Sequence, residues 1–535
     1  MNITTTTKVK SVLTVIFLVF IVHANAQNFF RRTVGGTILD WANSVIQTSD
    51  SGYAILGSTK NFGSGMEDIY LVKMLANGDT AWTKTYGGSA NDEEGAGVVQ
   101  TPDGGYAIAG TTSSFGQGLS DIFLFKTDAN GALQWGKSYG GSNVEFCHNV
   151  QLCSDGGFVI TGYTSTFGLG GNDVYVIRTN ANGDTLWSRT FGTPDHNEAW
   201  AITQTSDGGF IITGNTLITG SQKLFVIKTD AAGNILWSKG YDNGSDSGNG
   251  ISVIQTSDSG YCIAGTCVTT GTILKDIYLV KTDVNGDTLW SRTFDGGGNE
   301  ECNSIEQTTD GGYILTGYTN SFSLGDDLFI IKTNDSGVIS WAKVIGGVSN
   351  ARDEGRSVIQ AIDGGYMVAG FTQTFGVGTD MFIVKTDTGG YSGCTQPNVS
   401  FGESSAPATT VSLTLTSLTG MAIVNTISLI EGSAMGIIHA PCIPVGVNDL
   451  SPINNTIAIY PNPVSENSIV YLNGDFNAKP VQLIITDEQG RTVKEYNYST
   501  DAFQFSTAGI SAGIYFYQVL SGEKSSIAYG KLVIE

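Results

Sequence analysis

One stretch of sequence, seen in full at residues 94–135, is repeated seven times along this chain. Each copy is anchored by an Asp-(Gly/Ser)-Gly-(Tyr/Phe) turn, and successive anchor aspartates are separated by 53, 52, 52, 51, 52 and 53 residues. The anchors are Asp50, Asp103, Asp155, Asp207, Asp258, Asp310 and Asp363. A fixed period in this range is typical of solenoids and propellers, in which each copy packs against its neighbours.

Each copy contains four short runs with the residue types of β-strands. Examples of the four runs are 44–48, 105–110, 276–283 and 185–192; they are rich in β-branched and aromatic residues and are bounded by Gly, Asn or Asp. The third run is apolar without alternation, which predicts a strand that is buried on both faces. Seven such units predict an all-β fold, a seven-bladed β-propeller of four-stranded blades.

The turn between the first and second runs contains two adjacent small residues. The second is glycine in all seven copies, whereas the first is replaced by Ser51 and Ser259 in two of them. This pattern predicts a positive φ at the second position, because glycine alone adopts that conformation freely.

The two ends of the repeat array complement each other. The seventh copy lacks its fourth run, and residues 30–36 align with the fourth run of the other copies but have no first three runs before them. We therefore expect residues 30–36 to pair with residues 381–385 and to close the ring without a covalent bond.

Four segments of different composition are predicted. Residues 1–26 are a secretory signal peptide, since Lys8 and Lys10 precede a short apolar run and Ala24-Asn25-Ala26 supplies small residues. Residues 27–394 form the propeller, and residues 395–455, rich in Ser and Thr, form a linker with some extended structure. Residues 456–535 contain about seven strand-like runs, which predict a small immunoglobulin-like β-sandwich. No segment of the mature chain is predicted to be a transmembrane helix.

Charge and cysteine content narrow the possible partners. The net charge of −22 argues against binding to nucleic acid or to anionic membranes. Seven cysteines in 535 residues are not a disulfide framework. Cys394 lies at the exit of the propeller and Cys442 lies in the linker, and they are the candidate disulfide pair.

The C-terminal segment carries a recognisable set of motifs. Tyr460-Pro461-Asn462-Pro463, the region 487–491, Gly513-Ile514-Tyr515 and the terminal Lys531-Leu532-Val533-Ile534 resemble the type A sorting domain of the Bacteroidota type IX secretion system. The resemblance covers residues 456–535. It implies export through the periplasm, contact with the secretion machinery, and a final location at the outer cell surface or outside the cell.

Carboxylates precede the first run in six of the seven copies. We expect their side chains to ring one mouth of the central channel, and two interpretations of them are open. They could bind Ca²⁺ or a basic ligand, since hard cations take oxygen ligands, or they could accept backbone hydrogen bonds and lock neighbouring blades together. The candidates are Asp40, Glu94, Glu145, Glu198, Glu301 and Glu354.

The repeats themselves indicate no catalytic residue and no cofactor other than Ca²⁺. We therefore expect a binding module at the cell surface, with a carbohydrate or a protein as its ligand. The alternative is a secreted polysaccharide hydrolase or lyase that uses carboxylates at the channel mouth. Binding tests and activity tests on polysaccharides separate the two.

Overall fold

The computed structural model describes residues 29–534 with gaps. The gaps are 89–92, 219–220, 243–246, 269–272, 348–349, 395, 405–408, 413–415, 420–422, 427–429, 433–436, 440–455, 461–466, 474–480, 487–490, 499–501, 512 and 521–525. The predicted signal peptide lies outside the described residues. The chain divides into two compact units, Met1–Pro444 and Val445–Glu535. The described residues contain no helix, so no helix among them could span a membrane.

Seven antiparallel sheets form the blades of the first unit, which confirms the seven-bladed β-propeller. The first strand among the described residues is β1 (Phe30–Gly35), which belongs to the last blade. Blade 1 contains β2 (Asp40–Gln47), β3 (Tyr53–Thr59), β4 (Asp68–Met74) and β5 (Thr80–Gly87). Blade 2 contains β6 (Glu93–Gln100), β7 (Tyr106–Thr112), β8 (Asp121–Thr127) and β9 (Leu133–Gly140). Blade 3 contains β10 (Glu145–Leu152), β11 (Phe158–Thr164), β12 (Asp173–Thr179) and β13 (Thr185–Gly192).

The remaining blades follow the same order. Blade 4 contains β14 (Asn197–Gln204), β15 (Phe210–Ile218), β16 (Ser221–Thr229) and β17 (Ile235–Asp242). Blade 5 contains β18 (Gly248–Gln255), β19 (Tyr261–Val268), β20 (Lys275–Thr282) and β21 (Thr288–Asp295). Blade 6 contains β22 (Glu300–Gln307), β23 (Tyr313–Thr319), β24 (Asp327–Thr333) and β25 (Ile339–Ile345). Blade 7 contains β26 (Asp353–Gln360), β27 (Tyr366–Thr372) and β28 (Asp380–Thr386), and β1 completes it.

The predicted closure of the ring is confirmed. Strand β1 pairs with β28 in the register Phe30↔Lys385 to Val34↔Met381. In the other blades a tryptophan of the fourth strand packs on the hairpin glycine of the next blade, as Trp82 does on Gly131. Phe30 occupies this place against Gly78 of blade 1. The N-terminal strand therefore replaces a blade strand in both its hydrogen bonds and its side-chain packing.

The prediction about the turn glycines was wrong. The positive φ lies at the first position of the turn, at 66° for Ser51 and 84° for Gly104. The second glycine is required for a different reason. A Cβ added to Gly105 would lie 2.2 Å from the carbonyl oxygen of Thr127 on the third strand, and the other six copies show the same approach. Close backbone packing, not φ, therefore excludes a side chain there.

The segment after the propeller, which the sequence predicts to be a linker, forms regular strands that pair with the blades. It contributes six short strands: β29 (Gly402–Ser404), β30 (Thr409–Ser412), β31 (Thr416–Thr419), β32 (Ile423–Thr426), β33 (Ile430–Gly432) and β34 (Ile437–His439). Each adds a fifth strand to the outer edge of a blade, in the blade order 5, 4, 3, 2, 1 and 7. Before them, Asn398 forms a bridge with Lys343 of blade 6. We call residues 396–439 the belt, because this segment contacts all seven blades in succession, opposite to the order in which the chain forms them.

Glutamine side chains join neighbouring blades at the end of the first strand. Gln100 of blade 2, for example, accepts a hydrogen bond from the backbone N–H of Ser49 in blade 1 at 2.8 Å. The same bond, from the corresponding turn of the preceding blade, is made by Gln204, Gln255, Gln307, Gln360 and Gln47. The exception is blade 3, where Leu152 replaces the glutamine. The residue of blade 2 that would donate the hydrogen bond to this position is Pro102, which has no N–H.

The described residues of the second unit form seven strands in two sheets. The three-stranded sheet consists of β35 (Thr456–Tyr460), β36 (Asn467–Asn473) and β39 (Ala502–Ser506). The four-stranded sheet consists of β37 (Val481–Thr486), β38 (Thr492–Tyr498), β40 (Gly513–Leu520) and β41 (Ser526–Ile534). Phe505 of the first sheet packs with Leu483, Val519 and Leu532 of the second, which confirms the small β-sandwich.

Candidate functional site

The first strand of every blade contains a β-bulge at its fourth residue. A bulge places two residues opposite one on the partner strand and changes the direction of a side chain. The bulged residues are Asn43, Ala96, His148, Trp200, Ile251, Asn303 and Arg356. All seven line one cavity of about 470 Å³, which therefore lies on the propeller axis. We call it the axial cavity; its volume is within the range of small-molecule sites, about 300–1,000 Å³.

One wall of the axial cavity is aromatic and comes from blades 3 and 4. The rings of His148 and Trp200 lie with their centroids 4.0 Å apart, and the ring of Phe146 lies 4.9 Å from His148. Tyr163 stacks on Phe146 at 5.6 Å with an interplanar angle of 5°. The indole Nε1 of Trp200 donates a hydrogen bond to Oδ1 of Asn215 at 2.7 Å, which fixes the ring. This wall presents rigid, flat faces.

The imidazole of His148 is part of this wall as an uncharged ring. Burial lowers the pKa of His148 to about 3, so it is neutral at physiological pH. Its Nε2 atom is buried and has no hydrogen-bond partner in the described part of the chain. The wall therefore carries no positive charge of its own.

The opposite wall is polar and comes from blades 6, 7 and 1. The guanidinium of Arg356 donates to Oδ1 of Asn43 at 2.5 Å and to Oε1 of Glu354 at 3.2 Å. The amide of Asn303 donates to the same Glu354 oxygen at 3.1 Å. Arg352 lies 2.9 Å from the other oxygen of Glu354. These bonds hold charged and amide groups in fixed positions around the cavity.

Two of the six predicted carboxylates, Asp40 and Glu145, join blades instead of lining the cavity. Each is the first residue of its strand, and both side chains are fully buried. Glu145 accepts hydrogen bonds from the N–H of Gly141 at 2.7 Å and from the hydroxyl of Thr164 at 2.6 Å. Gly141 belongs to the connection from the preceding blade, so the carboxylate ties the two blades together. Burial raises the pKa of Asp40, which makes the corresponding bond to Gly36 at 2.7 Å.

The other four predicted carboxylates occupy the second residue of their strands, whose side chain points to the opposite face. Glu94 and Glu354 line the axial cavity. Glu198 accepts a hydrogen bond from the amide of Asn172 at 3.0 Å, and Glu301 pairs with Lys275 at 2.5 Å. The six carboxylates therefore lie on two faces and do not form a single ring. Ca²⁺ binding by any of them stays a prediction.

Three further carboxylates lie together at the junction of blades 5 and 6. Oxygen atoms of Asp276, Asp295 and Glu300 lie within 4.8 Å of one another. Burial and then the charges of Asp295 and Glu300 raise the pKa of Asp276 to about 7. At the position of Asp295 most other blades have glycine, because the aspartate that begins the third strand leaves no room for a Cβ.

The cysteines agree in part with the prediction. Cys394 is disulfide-bonded. Cys147, Cys153, Cys262, Cys267 and Cys302 are free and buried. Cys442 lies outside the described residues, so its pairing with Cys394 stays a prediction. The same holds for Pro461, Asn462 and Pro463 of the sorting motif, whereas Tyr460 ends β35 and Lys531–Ile534 form the end of β41.

Sequence analysis did not identify the aromatic wall or Arg356. A signal was available in the repeat itself. Most positions of the first strand hold the same kind of residue in each copy, but the bulged position holds seven residues of widely different size and charge. A position that varies between copies while its neighbours repeat is not needed for the scaffold. Such a position is a candidate for ligand contact.

Residues 458–535 match the family described as the secretion system C-terminal sorting domain. The second unit is thus a type IX sorting domain, which directs the protein to the cell surface or to secretion and implies contact with the secretion machinery. No curated protein matches this chain.

The solved structures that match this chain are distant from it. The extracellular domain of a hybrid two-component system from B. thetaiotaomicron is 11% identical with a TM-score of 0.38; the match covers 95% of this chain and 59% of that one. Sqt1 from Chaetomium thermophilum is 11% identical with a TM-score of 0.39, over 68% of this chain and 98% of Sqt1. PorZ, a surface component of the type-IX secretion system of Porphyromonas gingivalis, is 10% identical with a TM-score of 0.27, over 92% of this chain and 81% of PorZ. TM-scores this low carry no information on ligand or activity.

Proposed function

We propose that the propeller is a carbohydrate-binding module whose ligand occupies the axial cavity. The observation that carries the proposal is the division of this cavity into an aromatic wall and a hydrogen-bonding wall. A sugar ring has apolar C–H faces and a rim of hydroxyl groups, so it complements both walls at once. Ligand sites of this kind combine apolar and aromatic surfaces with a few fixed polar groups.

The roles of individual residues follow from their positions. Trp200 and Phe146 provide the surfaces on which a sugar ring stacks. Asn303, Glu354 and Arg356 are already bonded to one another, so they offer oriented donors and acceptors at little entropic cost on binding. Export to the cell surface places such a site where extracellular glycans are found.

The direct test is calorimetric titration of the purified protein with a panel of oligosaccharides, in the wild type and in Trp200→Ala. We expect saturable binding of at least one glycan and a loss of about tenfold or more in affinity in Trp200→Ala, which corresponds to about 1.4 kcal/mol. Trp41→Ala is the matched control, because Trp41 lies on the first strand of blade 1 but does not line the cavity. Absence of glycan binding, or equal losses in the two variants, would overturn the proposal.

A second candidate is a glycan hydrolase, and one observation favours it. Glu94 and Glu354 both line the cavity, and they differ in environment: burial raises the pKa of Glu94, whereas two arginines hold Glu354. Glycosidases use one carboxyl group as a proton donor and another that stays ionised. Release of reducing ends from a bound glycan, lost in both Glu94→Gln and Glu354→Gln, would establish this activity.

A further inference from the structure

Glu94 differs from the other carboxylates at its position in the repeat. Glu198, Glu301 and Glu354 are each bonded to an amide or to a cationic side chain. Glu94 lines the axial cavity, and its carboxylate forms no hydrogen bond or ion pair with any residue that the structure describes. Arg356 attracts it electrostatically but forms its own bonds with Asn43 and Glu354.

A partly buried carboxylate without a partner is costly, because it has lost water without gaining a compensating bond. Burial accordingly raises the pKa of Glu94. A ligand that supplies a positive charge at this point would remove the cost. The Glu94 carboxylate, which has no partner among the described residues, therefore indicates a ligand with a cationic group.

Glu94 and the rings of the aromatic wall line the same cavity, so one bound group can contact both. Burial, and then the charges of Glu198 and Glu94, raise the pKa of Tyr163, whose ring stacks on Phe146. Aromatic faces attract cations, and more strongly where water is excluded. The neutral ring of His148 adds no positive charge that would oppose a cation. Carboxylate and aromatic faces together suit an ammonium group attached to a partly apolar body.

We infer that the axial cavity selects an amino sugar, with its ammonium group at Glu94 and its ring against the aromatic wall. The inference rests on the proposed carbohydrate binding and narrows it to sugars with a free amine. A metal ion does not fit Glu94 alone, because Ca²⁺ takes six to eight oxygen ligands.

The test compares three hexasaccharides of equal length: fully deacetylated chitosan, its N-acetylated counterpart and a glucose oligomer. Each is titrated calorimetrically into the wild type, Glu94→Gln and Glu301→Gln. We expect the wild type to bind the chitosan oligomer about tenfold more tightly than the acetylated one. Glu94→Gln should lose this preference and keep its affinity for the neutral sugars. Glu301→Gln should keep the preference, because Glu301 occupies the same repeat position but pairs with Lys275 and does not line the cavity.

The outcomes distinguish a failure of the amino-sugar preference from a failure of carbohydrate binding. Equal affinity for all three oligomers, or a preference that survives in Glu94→Gln, would overturn the amino-sugar inference and leave carbohydrate binding in place. Absence of binding by any oligomer would overturn both. Binding of trimethyl-lysine peptides but of no sugar, lost in Glu94→Gln, would assign the cavity to a protein ligand and overturn both as well. Thermal melting of each variant shows that it is folded.

Discussion

At the level of single residues, the hydrogen bond from a backbone N–H to a glutamine of the next blade is missing between blades 2 and 3. Both of its partners have changed there. Where Pro102 removes a donor in blade 2, Leu152 removes the acceptor in blade 3, and no polar atom is left without its partner. A substitution of only one partner should lower the free energy of unfolding, because a donor that loses its acceptor must bond to water or stay unpaired.

This asymmetry is testable by substitution. Gln100→Leu removes the acceptor for the N–H of Ser49 and the donor to the carbonyl of Gly104. We expect a loss of about 0.5–1.5 kcal/mol in the free energy of unfolding, since the turn is exposed and water replaces part of the bonding. Leu152→Gln should gain nothing, because Pro102 offers no N–H. Chemical denaturation measures both, and a stabilised Leu152→Gln variant would contradict the account.

Asp295 gives a prediction about pH. The pKa of Asp276 in the folded protein, about 7, lies above its ordinary value of 3.8, so the folded state holds the proton more tightly than the unfolded chain does. The associated stability is present below about pH 4 and is lost as the pH rises towards 7. Asp295→Gly restores the residue of most other blades and removes one of the repelling charges. It should therefore raise the melting temperature more at pH 8 than at pH 5, by about 1 °C or more.

The melting curves for this comparison are recorded in EDTA, so that no divalent cation neutralises the cluster. Asp295→Asn, which removes the charge and keeps the size, should show the same pH trend. A gain that is independent of pH in both variants would show that the three carboxylates do not repel one another in the folded protein.

At the level of elements, the blade strands could be predicted and the belt could not. The blade strands repeat seven times, so apolar pattern and turn chemistry reinforce each other in every copy. The belt strands are three or four residues long and differ in sequence, and their pairing uses backbone groups that every residue has. A Ser- and Thr-rich composition is therefore compatible with either a linker or a set of edge strands.

The N-terminal strand closes the ring, and its loss should be severe. Deleting residues 27–37 leaves β28 without its outer partner and β34 without a blade to join. We expect the free energy of unfolding to fall by roughly 3 kcal/mol or more, and exposed strand edges to promote oligomers. Thermal melting and light scattering measure these effects. A synthetic peptide of residues 27–37 added in trans should restore the monomer; unchanged melting of the truncated protein would refute the closure.

The predicted disulfide joins the two ends of the belt. A bond between Cys394 and Cys442 would close a loop of roughly 50 residues, and a loop of that length contributes about 4 kcal/mol in the chain-entropy account. Cys394→Ser and Cys442→Ser should each lower stability by up to this amount, and the double variant should be no worse. Mass spectrometry of unreduced peptides identifies the partner directly. A cross-link from Cys394 to any other cysteine would contradict the pairing.

At the level of the whole molecule, the sequence predicts the fold and the export of the protein better than it predicts the ligand. The repeat period and the sorting motif are both long signals, and each involves tens of residues. The axial cavity depends on one bulged residue per blade, and the residues that meet there are about fifty positions apart in sequence. Only the closed ring brings Phe146, Trp200 and Arg356 around one cavity.

The sorting domain should be separable from the propeller in function. Deleting residues 456–535 leaves the ring and the belt intact, so we expect a folded protein that accumulates in the periplasm of a host with type IX secretion. Surface protease accessibility and cell fractionation measure its location. The same residues fused to a periplasmic reporter should carry it to the surface. Export of the truncated protein would show that residues 456–535 are not the required signal.

The direction of the belt has a consequence for the order of assembly. From β29 to β34, each strand pairs with a partner that lies farther back in the chain than the partner before it. In an unfolded chain such distant pairings form slowly, because long loops must close first. On a finished ring, each short strand that docks brings the next one close to the neighbouring blade. The belt can therefore dock strand by strand, from blade 6 round to β1. At its start, Phe401 packs against Phe322 and Phe329 of blade 6. The last belt strand, β34, pairs with β1, the strand that completes blade 7, so the belt ends where the ring closes. We therefore expect the belt to dock last, after the blades have formed; the sorting domain is the next unit in the sequence.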